Sequence, residues 1–184
     1  MAFLNTPRRR FVVLDRDGTL IVERNYLSQV EQVELVAGVA DGLCALRELG
    51  LGLIVISNQS AIGRGHFDHA QLDRIHYRMV DLLAAQGVYL DGIYVCPHTP
   101  EDNCACRKPR PGLLETAARE HGFVPAECFV IGDKPCDIEL GQAVGATTFL
   151  VQTGYGRQYV NTLATDFVVD DVAEAARVIE RLLA

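Results

Sequence analysis

Two carboxylates, Asp15 and Asp17, follow directly on four apolar residues, 11–14, and stand directly before Gly18. In an extended segment the side chains at i and i+2 share a face, so Asp15 and Asp17 are expected to point together and Arg16 away from them. Like charges held that close repel, and such a pair calls for a bound cation or for a proton on one of its members. A polar turn closing a strand would present the same two residues without chemistry, and the rest of the chain decides between the two readings.

A phosphate monoester is the ligand that the other polar groups would suit. An ionised aspartate is a competent oxygen nucleophile, but it must approach a dianion, so the site needs Mg2+ and basic donors. Asp15 would attack phosphorus and form an aspartyl-phosphate. Asp17 would protonate the leaving oxygen and later deprotonate water. Ser57 and the backbone amide of Asn58 would donate to the phosphoryl oxygens, and Lys108 would add fixed positive charge. Asp133 would complete the magnesium shell with Asp15 and the carbonyl of Asp17, and Asp137, one helical turn further, would orient these ligands. Lys134 reads as a phosphate or substrate contact, against the plainer reading of a charge at a helix start.

Six cysteines are unevenly spread, and CPHTPEDNCAC gathers Cys96, His98, Cys104 and Cys106 within eleven residues. Three thiolates and an imidazole suit tetrahedral Zn2+ with no open position, which is a structural site. It would fix the loop presenting Arg107 and Lys108. Cys44 and Cys128 read as core residues, and Cys136 lacks a basic partner that would make it a nucleophile. His66, His69, His76 and His121 are scattered and read as solvated or packed.

These groups need elements to carry them. The apolar run 11–14 reads as a buried strand, and 20–34 shows no periodicity and reads as a loop or flap beside the aspartates. From Gly38, Val39, Leu43, Leu46 and Leu49 recur at helical spacing until Gly50. The continuous apolar run 51–56 is a strand buried on both faces, ending at Ser57, Asn58, Gln59 and Ser60. Asp68 caps a helix with Leu72, Ile75, Met79, Leu82 and Leu83 on one stripe, closed by Gly87. Further strands are expected over 92–95, 128–131 and 147–151, with an edge strand over 167–169. Helices are expected from Pro111 to near Gly122, over 135–144 and over 172–183. Strand and helix alternate without repeat or linker, which is an α/β class with a mostly parallel sheet covered on both faces. Ligands of such sheets bind beyond the carboxyl ends of the strands, where Asp15, Ser57, the cysteine cluster and Asp133 all fall.

The chain of 184 residues fits one domain, over 1–184. Its net charge of −7 argues against a broad nucleic-acid surface while leaving room for a local basic pocket. No apolar run is long enough for a membrane span, residues 11–14 are too few for a signal core, and the expected setting is a cytoplasmic monomer with a phosphorylated small-molecule substrate. Arg8, Arg9 and Arg10 read as a solvated arm.

DRDGT, SNQS, RKP and GDKPCD, in this order and at these intervals, resemble the four motifs of the haloacid dehalogenase superfamily of phosphatases, and the likeness covers about residues 11–156. The resemblance implies a Rossmann-like, doubly wound core and a magnesium-dependent phosphotransfer with Asp15 as nucleophile and Asp17 as general acid and base. No insertion is long enough for a separate cap domain. The zinc loop CxH…CxCRKP and the string SNQSAIGRG are similar to the superfamily's sugar-bisphosphate branch, with the histidinol-phosphate branch as the alternative. That pattern implies substrate contacts from Glu23, Arg24, Asn25, Tyr26, Ser57, Asn58, Gln59, Ser60 and Arg107, with Arg64 or Arg110 as a further cation for a bisphosphate. Ser57 stands where threonine is common, Ala61 where glycine is common, and the zinc loop is short. A phosphoacceptor domain of the receiver type is the competing class, and it would carry its aspartate on the middle strand in chain order.

Overall fold

The apolar run after Arg10 forms β1 (Phe11–Leu14), buried at all four positions, and it occupies the centre of a six-stranded sheet. A computed structural model describes residues 8–184. The order of elements is β1, α1 (Val39–Glu48), β2 (Gly52–Asn58), α2 (Ser60–Gly63), α3 (His69–Ala84), β3 (Gly92–Cys96), α4 (Gly112–His121), β4 (Phe129–Gly132), α5 (Pro135–Val144), β5 (Thr147–Val151), β6 (Phe167–Val169) and α6 (Val172–Leu183).

The strands lie in the order β3-β2-β1-β4-β5-β6, and every pair is parallel. The order reverses between β1 and β4, so a crevice opens at their carboxyl ends, where Asp15 and Asp133 emerge. A receiver-type sheet runs 2-1-3-4-5, and the arrangement here is different.

Alternation along β1 divides the core. Val12 and Leu14 face a cluster completed by α1, α3 and α6, whereas Phe11 and Val13 face a second cluster completed by α4 and α5. Both faces are therefore covered, which is why β1, β2 and β4 are near-continuous apolar runs. Each fully buried Val, Leu or Ile in these layers contributes about 1.5–3 kcal/mol relative to exposure.

The expected elements are all present, with boundaries moved by a residue or two. Asp68 accepts a hydrogen bond from the Gln71 amide, as its capping role requires. Two features differ from expectation. The short helix α2 follows β2 directly where only a strand end was read. The arginine arm is not free: Arg9 pairs with Asp91 at 2.8 Å, and Arg10 donates to the Glu127 carbonyl at 2.7 Å and lies over the Phe129 ring. Asp91 gathers Arg9, Arg47 and the Leu53 amide at the amino end of the sheet, a partner set that composition alone does not reveal.

Between β1 and α1, the expected flap is anchored at its base. Leu20, Ile21, Leu27 and Val33 are buried, and backbone bonds from Val22 to Glu34 and from Val36 to Leu20 hold its stem. Its tip carries Asn25 and Tyr26 with φ of 46° and 66°, a left-handed conformation uncommon for non-glycine residues.

Candidate active site

Asp15 leaves the end of β1 with its amide bonded to the Ile131 carbonyl of β4 at 3.0 Å, which seats it in the crevice. Lys108 meets it there. The Lys108 ammonium lies 2.6 Å from Asp15 Oδ1 and 2.7 Å from Asp137 Oδ1, and donates to the Ile56 carbonyl at 2.5 Å. Burial acts to lower the Lys108 pKa, but Asp137 and Asp15 reverse the effect and raise it well above the ordinary lysine value. It is a fixed cation between two carboxylates.

Asp133 follows β4 and is fully buried. One oxygen accepts the Tyr155 amide at 2.8 Å, whereas Oδ1 has no hydrogen-bond partner among the described residues. Burial, reinforced by the Asp15 charge, pushes its carboxyl up to about 8. Gly18, at φ +90°, and Gly154 approach this carboxylate so closely that a Cβ on either would overlap it. Asp15, Asp133 and Asp137 offer oxygens within 4.8 Å of one another. A buried, all-oxygen, anionic cluster with an unpartnered oxygen matches the donor set of a hard divalent cation. Asp137 also accepts from the Lys134 amide at 3.0 Å, so it is tied into the start of α5.

The strand alternation does not extend to Arg16. β1 ends at Leu14, and Arg16 turns inward, 1% exposed, instead of pointing away. Its Nε and Nη2 donate to Asp17 Oδ2 and Oδ1 at 3.0 and 2.9 Å. Gln59 donates to Asp17 Oδ2 and to Ser57 Oγ, both at 2.7 Å. Burial acts to raise the Asp17 pKa, but the Arg16 charge and hydrogen bond, with Gln59 and Lys134, bring it below the ordinary carboxylate value. The repulsion expected between the two aspartates is thus answered at Asp17 by an arginine, and at Asp15 by Lys108.

A cavity of about 250 Å³ opens over these groups. Asp15, Asp17, Glu23, Asn25, Tyr26, Asn58, Gln59, Ser60, Arg107, Lys108 and Lys134 all line it. Not every expected residue reaches its wall. Ser57 is buried behind Gln59, Asp133 is buried under the rim, and Arg24 turns outward to pair with Glu34 at 2.7 Å. Arg64 and Arg110 also face elsewhere, toward Glu101 and toward the carbonyls of Asn103 and Cys104, leaving Arg107 as the cation from that side. Lys134 bonds Glu23 at 2.8 Å and approaches the Asp17 carbonyl at 3.4 Å, joining the flap to the crevice. Arg16, Cys136 and Tyr155 line the cavity as well, although the motifs do not point to them. Alternation even places Arg16 on the opposite face from the aspartates, so its position in the cavity has no signal in the sequence.

Cys96, His98, Cys104 and Cys106 converge, with sulfur separations of 3.3 to 3.6 Å and the His98 Nδ1 3.2 Å from Cys106 Sγ. Three sulfurs and one ring nitrogen facing a common point are a Zn2+ donor set. The loop then runs into Arg107, which donates to the His98 carbonyl at 3.1 Å, and into Lys108. Asn58 fastens it to β2 by exchanging two bonds with the Lys108 backbone, at 3.0 and 3.1 Å.

The Hydrolase_like family model, described as HAD-hydrolase-like, matches residues 105–175. The chain is 36% identical over 180 residues to the D-glycero-beta-D-manno-heptose-1,7-bisphosphate 7-phosphatase of Haemophilus influenzae, covering 93% of this chain and 97% of that protein. It is 38% identical over 139 residues to the histidine biosynthesis bifunctional protein HisB of Legionella pneumophila, covering 74% of this chain but 40% of that one. The D,D-heptose 1,7-bisphosphate phosphatase from B. bronchiseptica, solved in complex with magnesium and phosphate, superimposes with a TM-score of 0.87 at 32% identity, over 94% of this chain and 99% of the other.

Proposed function

On the premise that the chain belongs to the haloacid dehalogenase-like phosphatases, in the heptose-bisphosphate 7-phosphatase family, we propose that it hydrolyses the C7 phosphate of D-glycero-beta-D-manno-heptose 1,7-bisphosphate. The observation that carries this reading is the Lys108 ammonium bridging Asp15 and Asp137 beside the unpartnered oxygen of Asp133.

Asp15, Asp133 and the carbonyl of Asp17 hold Mg2+, which when bound offsets the charge of the incoming dianion and of the developing transition state. An Asp15 oxygen attacks phosphorus, the bond to the sugar oxygen breaks, and Asp17 gives that oxygen a proton. Water then loses a proton to Asp17 and attacks the same phosphorus, which frees Asp15 and releases inorganic phosphate. Lys108 fixes the orientation of Asp15 and stabilises charge on the phosphoryl oxygens, with the Asn58 amide as a further donor, while the buried Ser57 hydroxyl accepts from Gln59 and holds it in place. Arg107, at the cavity mouth, takes the second phosphate, and the flap residues Glu23, Asn25 and Tyr26, with Ser60 and Lys134, line the sugar.

Cys96, His98, Cys104 and Cys106 hold Zn2+ as a structural crosslink of the loop that delivers Arg107 and Lys108. Reduced thiolates of this kind suit the cytoplasm, where the enzyme would act as a monomer on a phosphorylated heptose bound for lipopolysaccharide or other surface glycans.

Steady-state kinetics on both anomers of the heptose bisphosphate and on histidinol phosphate test the reading. The expected order of kcat/KM places the β anomer first. A preference for histidinol phosphate would transfer the chain to the reaction of the second relative's branch, and absence of turnover on every phosphate ester would end the enzymatic reading.

A further inference from the structure

We propose that Arg16 is the positioning residue for Asp17, and that it assigns one lone-pair site on Asp17 Oδ1 to the proton in transit. The inference rests on the phosphatase reading above and adds to it a residue outside the metal and phosphate contacts.

A carboxylate offers about four acceptor sites, two on each oxygen. On Asp17 three are taken. Oδ2 receives Arg16 Nε at 3.0 Å and Gln59 Nε2 at 2.7 Å, so it is saturated. Among the described residues Oδ1 receives Arg16 Nη2 alone, at 2.9 Å. The remaining site is therefore on Oδ1, on a side chain that lines the cavity. A planar guanidinium fork fixes the plane of the carboxylate as well as its position, which a lysine ammonium cannot do.

Arg16 is itself held. Its Nη2 also donates to Gln59 Oε1 at 2.9 Å, and its Nη1 lies 3.0 Å from His76 Nε2 on α3. Arginine has no acceptor, so His76 Nε2 must accept here, which assigns the neutral tautomer with the proton on Nδ1. Gln59, donating to both Asp17 Oδ2 and Ser57 Oγ, ties the proton-transfer group to the buried hydroxyl at the end of β2. The chain Ser57, Gln59, Asp17, Arg16, His76 thus runs from the reaction crevice to a helix that touches no reacting atom.

When the ester bond breaks, the proton on Oδ1 passes to the sugar oxygen. When water attacks, its proton returns to Oδ1, and the three donated bonds keep that oxygen aimed at both partners. Without the fork the carboxylate rotates, and proton transfer suffers while phosphate binding does not.

A double-mutant cycle tests this, with kcat and KM measured on the heptose bisphosphate and on p-nitrophenyl phosphate, and with folding checked by thermal melting. Arg16→Met is expected to lower kcat by about 100-fold, the lower end of general acid–base contributions, with little change in KM. In the Asp17→Asn background the same change is expected to cost nothing further. An Arg16→Met, Asp17→Asn protein slower than Asp17→Asn by the full factor would overturn the proposal, because Arg16 would then act independently of Asp17. Should Arg16→Met fail to fold, His76 decides. His76→Leu removes the acceptor behind Arg16 and is expected to lower kcat by about tenfold, at the scale of a weakened proton-transfer geometry, and His76→Gln, which keeps an acceptor, is expected to restore it. Wild-type kcat in a folded His76→Leu protein would equally overturn it. Wild-type turnover of p-nitrophenyl phosphate without turnover of the sugar would refute the substrate assignment alone, and the cycle would still be read on the aryl ester.

Discussion

The ammonium of Lys108 and the carboxylate of Asp15 lie 2.6 Å apart although 93 positions separate them in the chain. The same ammonium holds Asp137 at 2.7 Å, so one cation bridges two buried carboxylates and fixes the Asp15 oxygen that it touches. Lys108→Met is expected to destabilise the protein by about 3–5 kcal/mol in urea denaturation, the cost of breaking a buried ion pair from one side. It is also expected to abolish turnover, and Lys108→Arg, with a wider head group, should not restore it. Wild-type stability in Lys108→Met would mean that the carboxylates find other partners.

Asp133 predicts a trade between stability and activity. Its Oδ1 is buried without a hydrogen-bond partner among the described residues and its carboxyl is pushed up to about 8, so in the absence of metal its charge opposes folding. Asp133→Asn is expected to raise the melting temperature of the metal-free protein by a few degrees, as about 1 kcal/mol does for a domain of this size. Calorimetry should find Mg2+ binding lost in the same variant. A lower melting temperature with Mg2+ binding retained would contradict both parts.

The cysteine cluster predicts about one Zn2+ per chain by metal analysis, the number that one closed four-ligand site takes. Cys104→Ser is expected to lose the metal and to lower kcat and raise KM together, since the loop supplies Lys108 to the nucleophile and Arg107 to the cavity mouth. Retained kinetics in a zinc-free protein would show that the bonds from Asn58 and Arg107 hold the loop without a metal.

His76 predicts an acid-sensitive component of stability. Burial, then the Arg16 charge, lowers its pKa from 6.5 to about 4. The folded pKa is depressed, so between these values the unfolded chain binds more protons, and stability falls as pH drops from about 6.5 toward 4. His76→Gln is expected to lose less stability over that interval, measured by urea denaturation at a series of pH values. Parallel losses in the two proteins would remove His76 as the cause.

Much of the fold and of the site is legible in the sequence because the strands are buried on both faces. Runs such as 11–14 and 51–56 can be little else, and in a parallel sheet their carboxyl ends mark the crevice, so residue order alone brings Asp15, Ser57 and Asp133 to one rim. The four convergent side chains Cys96, His98, Cys104 and Cys106 are legible from residue type and proximity. Arg16 is not, because alternation lapses once β1 ends at Leu14 and the backbone turns at Gly18. Arg24 and Glu34 likewise pair across the flap stem, a contact set by how Leu20 and Val36 bring its two sides together and not by any local pattern. Tyr155 reaches Asp133 from the loop after β5, where no motif announces it.

The most direct test is to quench the enzyme in acid during turnover of the heptose bisphosphate and to map the phosphoryl group by mass spectrometry. The expected result is one phosphoryl group on the side chain at position 15, absent from the Asp15→Asn protein, which stays folded and inactive. Turnover by Asp15→Asn, or a phosphoryl group on another residue, would contradict the account.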